Sequence, residues 1–495
     1  MKVLFVFRGG EWLGIEYLSS FLKSKGHEVD LIYHPGAGEV ERRINFIEKL
    51  HNMIGIEDFM LKRAEKFEPD IIAFSSPTNL FPWVKKMAKK LKEALKVPVI
   101  VGGPHATSVP EYVLMQDGID MVCIGEGEEA MLELVNSIEK GEKRTDIKNI
   151  WFKVDGKIIK NPVRPLIKDL DSLPFPDKEI FDQYGVINGR LYIMTARGCP
   201  YLCSYCYTTA WRNLYKNGGP FYRRRSVENV IEEIEYHLKR KNYEEIYFYD
   251  DIFTLNKAWL ERFAEIYPSE IGIKFKALIH PEHIDEETVL LLKKAGCYYV
   301  DIGIESGSEK IRREVLNRKV SDKSIIRACE MFKNAGIKVC TLNIFGIPGE
   351  TMDDMKKTVE LNFRIKPDGA ITSIMYPFPE TDIYRHCLSK GLITEKEKEI
   401  VYEGYGSYKE PPLIKNGISP SIIYRYMRLL PFAVKLPAPL GRFLFKLPFP
   451  KFTDLIFLPF ISIKRNFIIR LKELISGIVI SWKKYLLEEF KIRRN

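Results

Sequence analysis

The sequence predicts an α/β protein with an N-terminal doubly wound parallel sheet, a partial (β/α)6 barrel of the TIM type and a basic, mostly helical C-terminal extension. Short β-rich runs alternate with longer charged runs over residues 1–140, and the alternation resumes over 190–380 in units of about forty residues. The composition then changes abruptly at Ser419. With 495 residues the chain is too long for one core, and we place its domains at 1–140, 141–190, 191–390 and 391–495.

Five strands are predicted in the first domain, at Val3–Phe7, Glu28–Tyr33, Ile71–Ser75, Val99–Val101 and Met121–Ile124. Helical crossovers between them predict a parallel sheet, which binds ligands at the carboxyl ends of its strands. Those ends carry the loops Arg8-Gly9-Gly10, Ser75-Ser76-Pro77-Thr78-Asn79, Gly102-Gly103-Pro104-His105 and Gly125-Glu126-Gly127-Glu128. Glycine lets a backbone approach a flat or bulky ligand, and hydroxyl groups can bind its polar fringe. Any single loop is better read as an ordinary turn, so only the set indicates a site.

The segment 141–190 is predicted to be a connector, with a hairpin around Asp155-Gly156. Six strands follow, at Tyr192–Thr195, Glu245–Tyr249, Lys274–Ile279, Tyr298–Ile304, Val339–Phe345 and Ile371–Tyr376. Gly296 and Gly336 are predicted to end two helices in the left-handed conformation. Polar or glycine-rich segments close three of the strands: Tyr249-Asp250-Asp251, Gly303-Ile304-Glu305-Ser306 and Asn343-Ile344-Phe345-Gly346. A barrel of this type has its active site at these ends.

Three of the eight cysteines lie in one turn-rich loop, as Cys199, Cys203 and Cys206. This C-x3-C-x2-C spacing offers three thiolates to a soft metal centre such as an iron–sulfur cluster, and it leaves one iron without a protein ligand. A structural zinc site would need a fourth ligand, and disulfides would need an even number of cysteines. The other five are scattered and form no disulfide framework: Cys123, Cys297, Cys329, Cys340 and Cys387. A reducing, anaerobic cytoplasm suits this cysteine usage.

The cysteine loop resembles the signature of radical S-adenosylmethionine (SAM) enzymes. In that family SAM chelates the open iron of a [4Fe-4S] cluster and is cleaved to a 5′-deoxyadenosyl radical, which abstracts hydrogen from an unactivated carbon. The resemblance places the cluster on the three cysteines. It implies that SAM is bound by Tyr205 at the adenine, Asp250 or Asp251 at the amino group, Glu305 and Ser306 at the ribose and carboxylate, and the backbone of Ile344 to Gly346 at the adenine.

The loops of the first domain, above all VGGPHAT and IGEGE, resemble the flavodoxin-like, cobalamin-binding domain of B12-dependent radical SAM proteins. The implied cobalamin contacts are Arg8, Gly9, Gly10, Ser75, Ser76, Thr78, Gly102, Gly103, His105, Gly125, Glu126 and Gly127. For His105, a plain polar turn is an equally good interpretation. Domains that ligate cobalt through histidine carry D-x-H-x-x-G after the first strand, where this chain has Arg8 to Gly14 without a histidine. The resemblance therefore implies a lower cobalt face that is open or capped by another group.

The basic excess lies in the tail, since Lys415 to Asn495 carry 16 Lys and Arg against 4 acidic residues, or +12, whereas the whole chain carries +10. Prolines prevent one long helix, no run reaches the roughly 18 apolar residues of a spanning helix, and 467–491 is predicted to be amphipathic. Three interpretations of the tail are kept, in decreasing order of preference: contact with a membrane surface, packing on the barrel and RNA binding. The first apolar run is too short for a signal peptide. Arg223-Arg224-Arg225 is expected to be a solvated loop before a helix capped by Ser226.

The leading hypothesis is a cobalamin-dependent radical SAM enzyme that methylates an unactivated carbon, with a lipid or isoprenoid as substrate and a flavodoxin or ferredoxin as electron donor. A cytoplasmic location, peripheral to the membrane through the tail, is expected. Carbon–carbon bond formation or cyclisation by the same cofactors is the alternative. An RNA-modifying radical SAM enzyme is a further one, although tRNA methylthiolation would need three N-terminal cysteines and only Cys123 is there. A non-catalytic iron–sulfur electron carrier would leave the strand-end motifs unexplained.

Overall fold

In the computed structural model the chain forms two compact units, and the structure describes residues 1–35, 55–216, 218–405 and 414–446. Among these residues, the first unit comprises 1–165 and 172–188, and the second comprises 166–171 and 189–446. The segment 141–190 is thus divided between the two units. The domain limits named above remain predictions.

The first unit is built on a seven-stranded sheet with the order β2-β1-β3-β4-β5-β6-β7. Its strands are β1 (Lys2–Arg8), β2 (Glu28–His34), β3 (Ile71–Ser75), β4 (Val99–Gly102), β5 (Met121–Cys123), β6 (Ile150–Val154) and β7 (Lys157–Ile159). The first five are parallel, and the last two form an antiparallel hairpin that extends the sheet. The predicted doubly wound parallel sheet is confirmed. Its central strands are apolar runs because both faces of the sheet are buried.

The helices of this unit are α1 (Leu13–Ser24), α2 (Ile56–Phe67), α3 (Phe81–Leu95), α4 (Pro104–Ser108), α5 (Pro110–Leu114), α6 (Glu128–Glu139) and α7 (Glu179–Asp182). The order β2-β1-β3 reverses the direction of winding between β1 and β3. In sheets of this order the ligand crevice opens outside the carboxyl ends of those two strands. The loops after β1 and β3 are therefore the ones that position a ligand.

The second unit contains a six-stranded parallel sheet with the order β8-β11-β12-β13-β14-β15. Its strands are β8 (Arg190–Ile193), β11 (Glu245–Phe248), β12 (Phe275–Ile279), β13 (Cys297–Glu305), β14 (Lys338–Phe345) and β15 (Gly369–Ile374). The short strands β9 (Ala196–Arg197) and β10 (Arg223–Arg224) pair with each other instead. Strands that follow one another in sequence are neighbours in the sheet, as the predicted partial (β/α)6 barrel requires.

The helices between these strands are α8 (Tyr207–Leu214), α9 (Val227–Leu238), α10 (Lys257–Glu270), α11 (Glu286–Lys294), α12 (Asp322–Asn334) and α13 (Met352–Ile365). After β15 follow α14 (Asp382–Ser389), α15 (Glu395–Tyr402), α16 (Pro420–Ala433) and α17 (Ala438–Lys446). Gly296 and Gly336 have φ values of +91° and +72°, which confirms the predicted left-handed helix ends. Ser226 caps α9 by accepting a hydrogen bond from the Asn229 N–H at 3.1 Å.

The described part of the tail packs on the barrel. Helix α16 buries Ile423 and Leu430 against Phe345 and Ile374 of the last two strands. The hydroxyl of Thr372 also donates to the carbonyl of Met427 at 2.6 Å. Packing thus accounts for 420–446, whereas the amphipathic helix predicted over 467–491 lies outside the described residues. None of the described helices is long and apolar enough to cross a bilayer.

The expectation of a solvated arginine loop is wrong. Arg223 and Arg225 are only 7% and 5% exposed. The guanidinium of Arg224 lies 3.8 Å from the centroid of the Trp259 ring, and that of Arg225 forms an ion pair with Glu233. Pairing of β10 with β9 places this segment against the start of the cysteine loop, so its charges are used inside the fold.

Candidate functional site

The cysteine loop follows β9 and is anchored at several points. Gly198 has a φ of +86°, and a Cβ atom there would lie 2.3 Å from the carbonyl oxygen of Phe221, so only glycine fits. Further along, the backbone N–H and the hydroxyl of Ser204 donate to the carbonyls of Leu316 (3.0 Å) and Val315 (2.6 Å). The Asn317 amide donates to the Leu202 carbonyl at 2.6 Å. The segment after β13 therefore holds the loop in place.

The three thiols of this loop are free and influence one another electrostatically. Burial raises the pKa of Cys199 to about 12 and also raises the pKa values of Cys203 and Cys206. Within the described residues, no three His, Cys, Asp or Glu side chains converge on a single metal ion. Three sulfurs that bind different irons of one cluster need not do so. A cluster would supply the positive charge that keeps buried thiols as thiolates, so this donor set fits one.

Arg318 is a site residue that sequence analysis missed. Its Nη1 atom lies 4.0 Å from the Sγ of Cys203, and its Nη2 donates to the carbonyl of Gly303 at 2.7 Å. Its Nε is buried without a hydrogen-bond partner among the described residues. This positive charge lowers the pKa of Cys203 and so opposes the effect of burial. No local sequence motif indicates that Arg318 belongs to the site, because it lies 115 residues from Cys203 in sequence.

Glu305, the last residue of β13, and Tyr205, in the cysteine loop, lie beside Arg318. Three separate segments of the chain thus meet at this point. Burial raises the pKa of Glu305, while Arg318 and a hydrogen bond with Tyr205 oppose that rise. Glu305 has a φ of +66°, and a Cβ atom on Gly303 would lie 2.5 Å from its Oε1. Tyr205 also packs on the apolar cluster that contains Ile344. A group of charged and polar side chains beside an apolar cluster matches the two chemical halves of SAM.

The two aspartates after β11 have different surroundings. Asp250 accepts hydrogen bonds from the N–H groups of Thr195 (2.6 Å) and Ala196 (3.1 Å), so its carboxylate fastens the start of the cysteine loop. The side chain of Asp251 is exposed to solvent. Partial desolvation by the surrounding atoms and, second, the charge of Asp250 raise the pKa of its carboxyl to about 6. Its charge also acts on Cys199 and Cys206. Of the pair, Asp251 is the one that can meet a ligand.

Ser306 and Gly346 are occupied by the turns that contain them. Ser306 is completely buried, and its Oγ accepts a hydrogen bond from the Ser308 N–H at 3.2 Å. Gly346 has a φ of +77°, and its N–H donates to Oε2 of Glu350 at 2.7 Å. Ile344 is 9% exposed in the apolar cluster described above. Ser306 is thus placed to shape the strand end, and Ile344 and Gly346 to present backbone.

Two histidines that sequence analysis also missed hold the cysteine loop. His280 stacks on Tyr201 with ring centroids 4.1 Å apart, and Nε2 of His283 lies 2.7 Å from the Tyr201 hydroxyl. Burial and the nearby charge of Arg318 lower the pKa of His280 to about 3, so its imidazole is neutral. Tyr201 lies between Cys199 and Cys203, so this clamp positions both cysteines.

In the first unit, the predicted cobalamin residues fall into two groups. Ser76, Thr78 and His105 are buried and bonded within the fold: the Ser76 hydroxyl donates to the Pro77 carbonyl at 3.2 Å, and Nδ1 of His105 lies 3.3 Å from the Thr78 hydroxyl. Ser75 is likewise buried, and its hydroxyl accepts a hydrogen bond from the Trp12 indole at 2.9 Å. The others lie at the carboxyl ends of the strands: Arg8, Gly9, Gly10, Gly102, Gly103, Gly125, Glu126 and Gly127. A Cβ atom on Gly103 would lie 2.8 Å from the N of Ser76, so the edge stays free of a side chain there. This glycine-lined edge fits a large flat ligand.

The chain matches two family models, the B12 binding domain over residues 8–135 and the radical SAM superfamily over residues 193–361. It is 30% identical to an uncharacterized methyltransferase of Pyrococcus horikoshii over 78% of this chain and 80% of that protein. It is 27% identical to the anaerobic magnesium-protoporphyrin IX monomethyl ester cyclase of Rubrivivax gelatinosus, over 79% and 69%. Its fold is similar to that of the radical SAM methyltransferase TsrM of Kitasatospora setae, solved with cobalamin and a [4Fe-4S] cluster, with a TM-score of 0.61, 16% identity and coverage of 79% and 75%.

Proposed function

The chain belongs to the radical SAM enzymes that carry a B12-binding domain, and from this premise we propose that it transfers a methyl group to an unactivated carbon. As a member it uses a [4Fe-4S] cluster, SAM and cobalamin. When bound, the cluster and SAM supply hydrogen-atom abstraction, and cobalamin supplies the methyl group. The protein binds and orients these groups and keeps water away from them.

In this proposal the second unit performs the abstraction. Cys199, Cys203 and Cys206 hold the cluster, and the Tyr201 clamp fixes the geometry of their loop. Asp251 is the accessible carboxylate that meets the ammonium group of SAM. Tyr205 and Ile344 form the apolar wall for the adenine.

The observation that carries methyl transfer is the presence of a B12-binding domain and a radical SAM domain in one chain. The relative from Pyrococcus horikoshii named as a methyltransferase supports the same reaction. Ring formation is the second candidate, and the similarity to a ring-forming cyclase over 79% of the chain favours it.

We further propose a lipid or isoprenoid substrate, a small flavodoxin or ferredoxin as electron donor and a cytoplasmic enzyme that touches the membrane surface through its tail. The support is the excess of 10 Lys and Arg over 4 acidic residues in 447–495, interleaved with Phe, Leu and Ile, beyond the part of the tail that packs on the barrel. Basic residues between apolar ones favour the boundary between lipid headgroups and acyl chains. A substrate that resides in the membrane would be met there.

The test uses the full chain, purified and reconstituted without oxygen, and SAM carrying a deuterated methyl group. Incubation with a total lipid extract and a low-potential reductant should give a lipid that contains the deuterated methyl, together with 5′-deoxyadenosine. A product that has lost hydrogen without gaining the label would support ring formation instead. Release of 5′-deoxyadenosine without any change in the lipids would exclude a lipid substrate but leave the enzyme class intact.

A further inference from the structure

His280 carries a buried polar atom without a partner. It directly follows β12, at the carboxyl ends of the barrel strands, and is only 2% exposed. Its Nδ1 atom accepts a hydrogen bond from the backbone N–H of Glu282 at 3.4 Å. Its Nε2 atom has no hydrogen-bond partner in the part of the chain that the structure describes. One edge of the imidazole is thus satisfied by the fold, and the other is not.

These contacts determine which nitrogen of His280 holds the proton. Burial and, second, the charge of Arg318 lower the pKa of His280 to about 3, so the ring is neutral at physiological pH. A neutral imidazole has one donor and one acceptor nitrogen. Since Nδ1 accepts from Glu282, the proton lies on Nε2. The unpartnered atom is therefore an N–H donor, which is costly to bury without an acceptor.

This donor lies beside the cysteine loop. The ring of His280 stacks on that of Tyr201, with an angle of 16° between the two planes. Burial raises the pKa of the Tyr201 hydroxyl, and the thiols of Cys199 and Cys203 contribute to the rise. The imidazole is therefore separated by a single aromatic ring from a segment that carries two of the three cysteines.

Arg318 supplies a second buried donor at the same place. Its Nη1 atom lies 4.0 Å from the Sγ of Cys203, and its charge also acts on His280. Like Nε2 of His280, its Nε atom is buried and has no acceptor among the described residues. Buried polar groups in proteins almost always have a partner. Two unpartnered N–H groups near Cys203 are expected where a bound group, and not the chain, supplies the acceptor.

A sulfur atom of the cluster is the acceptor that this position offers. Hydrogen bonds to the sulfurs are among the factors that set the reduction potential of an iron–sulfur cluster. Such a bond stabilises the reduced cluster more than the oxidised one, because the reduced cluster carries one more negative charge. Loss of the bond therefore makes the cluster harder to reduce.

We propose that His280 donates a hydrogen bond from its Nε2–H to a sulfur of the [4Fe-4S] cluster and, together with Arg318, raises the reduction potential of that cluster. The electron comes from the external reductant, and the proton stays on Nε2 throughout. This inference rests on the cluster and not on methyl transfer, so it holds equally for ring formation. His280 is thus a positioning residue for Tyr201 that also acts on the cluster.

The test is the midpoint potential of the cluster in the full chain, reconstituted without oxygen and titrated before SAM is added. His280→Phe keeps a flat ring against Tyr201 but removes the N–H. We expect its cluster to be about tenfold harder to reduce, which is a potential about 59 mV more negative, with unchanged iron and sulfide content. His283→Phe is the matched control, because it removes the contact at the Tyr201 hydroxyl and leaves the Nε2 of His280 in place. Its potential should equal that of the wild type.

The hydrogen bond itself is detected with histidine labelled with 15N in the ring. Pulsed electron paramagnetic resonance (EPR) of the reduced wild-type cluster should show a weak 15N coupling. The coupling should be lost in His280→Phe and retained in His283→Phe.

A wild-type cluster without 15N coupling would overturn the inference, and so would equal potentials of the wild type and His280→Phe. Equal shifts in both variants would also overturn it, since they would trace the effect to a loosened loop. If His280→Phe takes up no cluster, the labelled wild-type spectrum still decides. A wild-type chain that takes up no cluster would contradict the cluster assignment, whereas a cluster without the coupling would contradict only the role of His280.

Discussion

Single side chains determine what the cysteine loop can bind. The three thiols of the loop share one short segment, but so do many cysteine clusters with other uses. Arg318 distinguishes this loop, because it places a buried positive charge 4.0 Å from the Sγ of Cys203. An anionic centre is the natural counterpart of such a charge.

Replacement of Cys199, Cys203 and Cys206 by Ala should abolish the cluster. The expected result is loss of bound iron and sulfide, together with loss of SAM cleavage, while the fold is retained. Cys329→Ala is the matched control, because this thiol is also buried but lies in α12. Iron analysis and the EPR spectrum of the reduced protein measure the outcome. SAM cleavage by the triple variant would contradict the assignment.

Arg318 and Glu305 should stabilise each other. Arg318→Met is expected to lower the free energy of unfolding by about 1–3 kcal/mol, since the Gly303 carbonyl loses its hydrogen bond and the partly buried Glu305 carboxylate loses a nearby positive charge. Adding Glu305→Gln should restore part of that loss, with a coupling energy of about 1–3 kcal/mol. Urea unfolding of the four proteins, free of cluster, gives the cycle. Losses that simply add would show that the two side chains do not interact.

At the level of helices and strands, much could be predicted because the signals are local. Central strands of the first unit, such as β1 and β3, are indicated by apolar runs, since burial on both faces of a sheet requires them, whereas barrel strands such as β11 and β12 are indicated by alternation of buried and more exposed side chains. The ends at Gly296 and Gly336 follow from glycine's access to positive φ. The C-x3-C-x2-C spacing likewise predicts a cluster-binding loop from the local sequence alone.

The remaining features depend on contacts between distant segments. Tyr201 meets His280 and His283 across about eighty residues, and nothing near Tyr201 in sequence indicates a clamp. The arginine run 223–225 has the composition of a surface loop, but its pairing with β9 buries it. Asp250 and Asp251 are identical in type, and only the fold shows that one is fastened and the other accessible.

The turn between β14 and α13 should respond to pH through Glu350. Burial raises the pKa of this carboxyl from about 4.5 to about 8, although the N–H groups of Gly346 and Ile347 donate to it. Between these two values the folded protein holds a proton that the unfolded chain has released. The contribution of this carboxyl to the free energy of unfolding is therefore fully present below pH 4.5 and is lost as the pH rises toward 8.

Glu350→Gln isolates this effect, since the amide oxygen can still accept from the Gly346 N–H. We expect the urea midpoint of the wild type to fall relative to that of the variant as the pH is raised from 5 to about 8. The difference between the two midpoints, followed by circular dichroism, is the quantity to measure. A constant difference across this range would mean that Glu350 is ionised throughout.

At the scale of the whole molecule, the first part of the tail, residues 420–446, packs on the barrel and is expected to stabilise it. Truncation after residue 418 removes α16 and α17 and uncovers Phe345, Met355 and Ile374. We expect that protein to lose thermal stability and aggregate, because a buried apolar surface meets water. Truncation after residue 446 keeps every one of these contacts and should melt like the full chain. A stable 1–418 protein would show that α16 is not part of the core.

Comparison of the full chain with the 1–446 protein tests what the basic segment 447–495 binds. Residues 447–495 carry 10 Lys and Arg against 4 acidic residues, with aromatic and aliphatic residues between them. The full chain should sediment with vesicles that contain phosphatidylserine but not with neutral ones, and rising salt should weaken binding because the attraction is electrostatic. The 1–446 protein should remain in the supernatant. Equal sedimentation of both proteins would remove the support for membrane contact and, with it, the main argument for a lipid substrate.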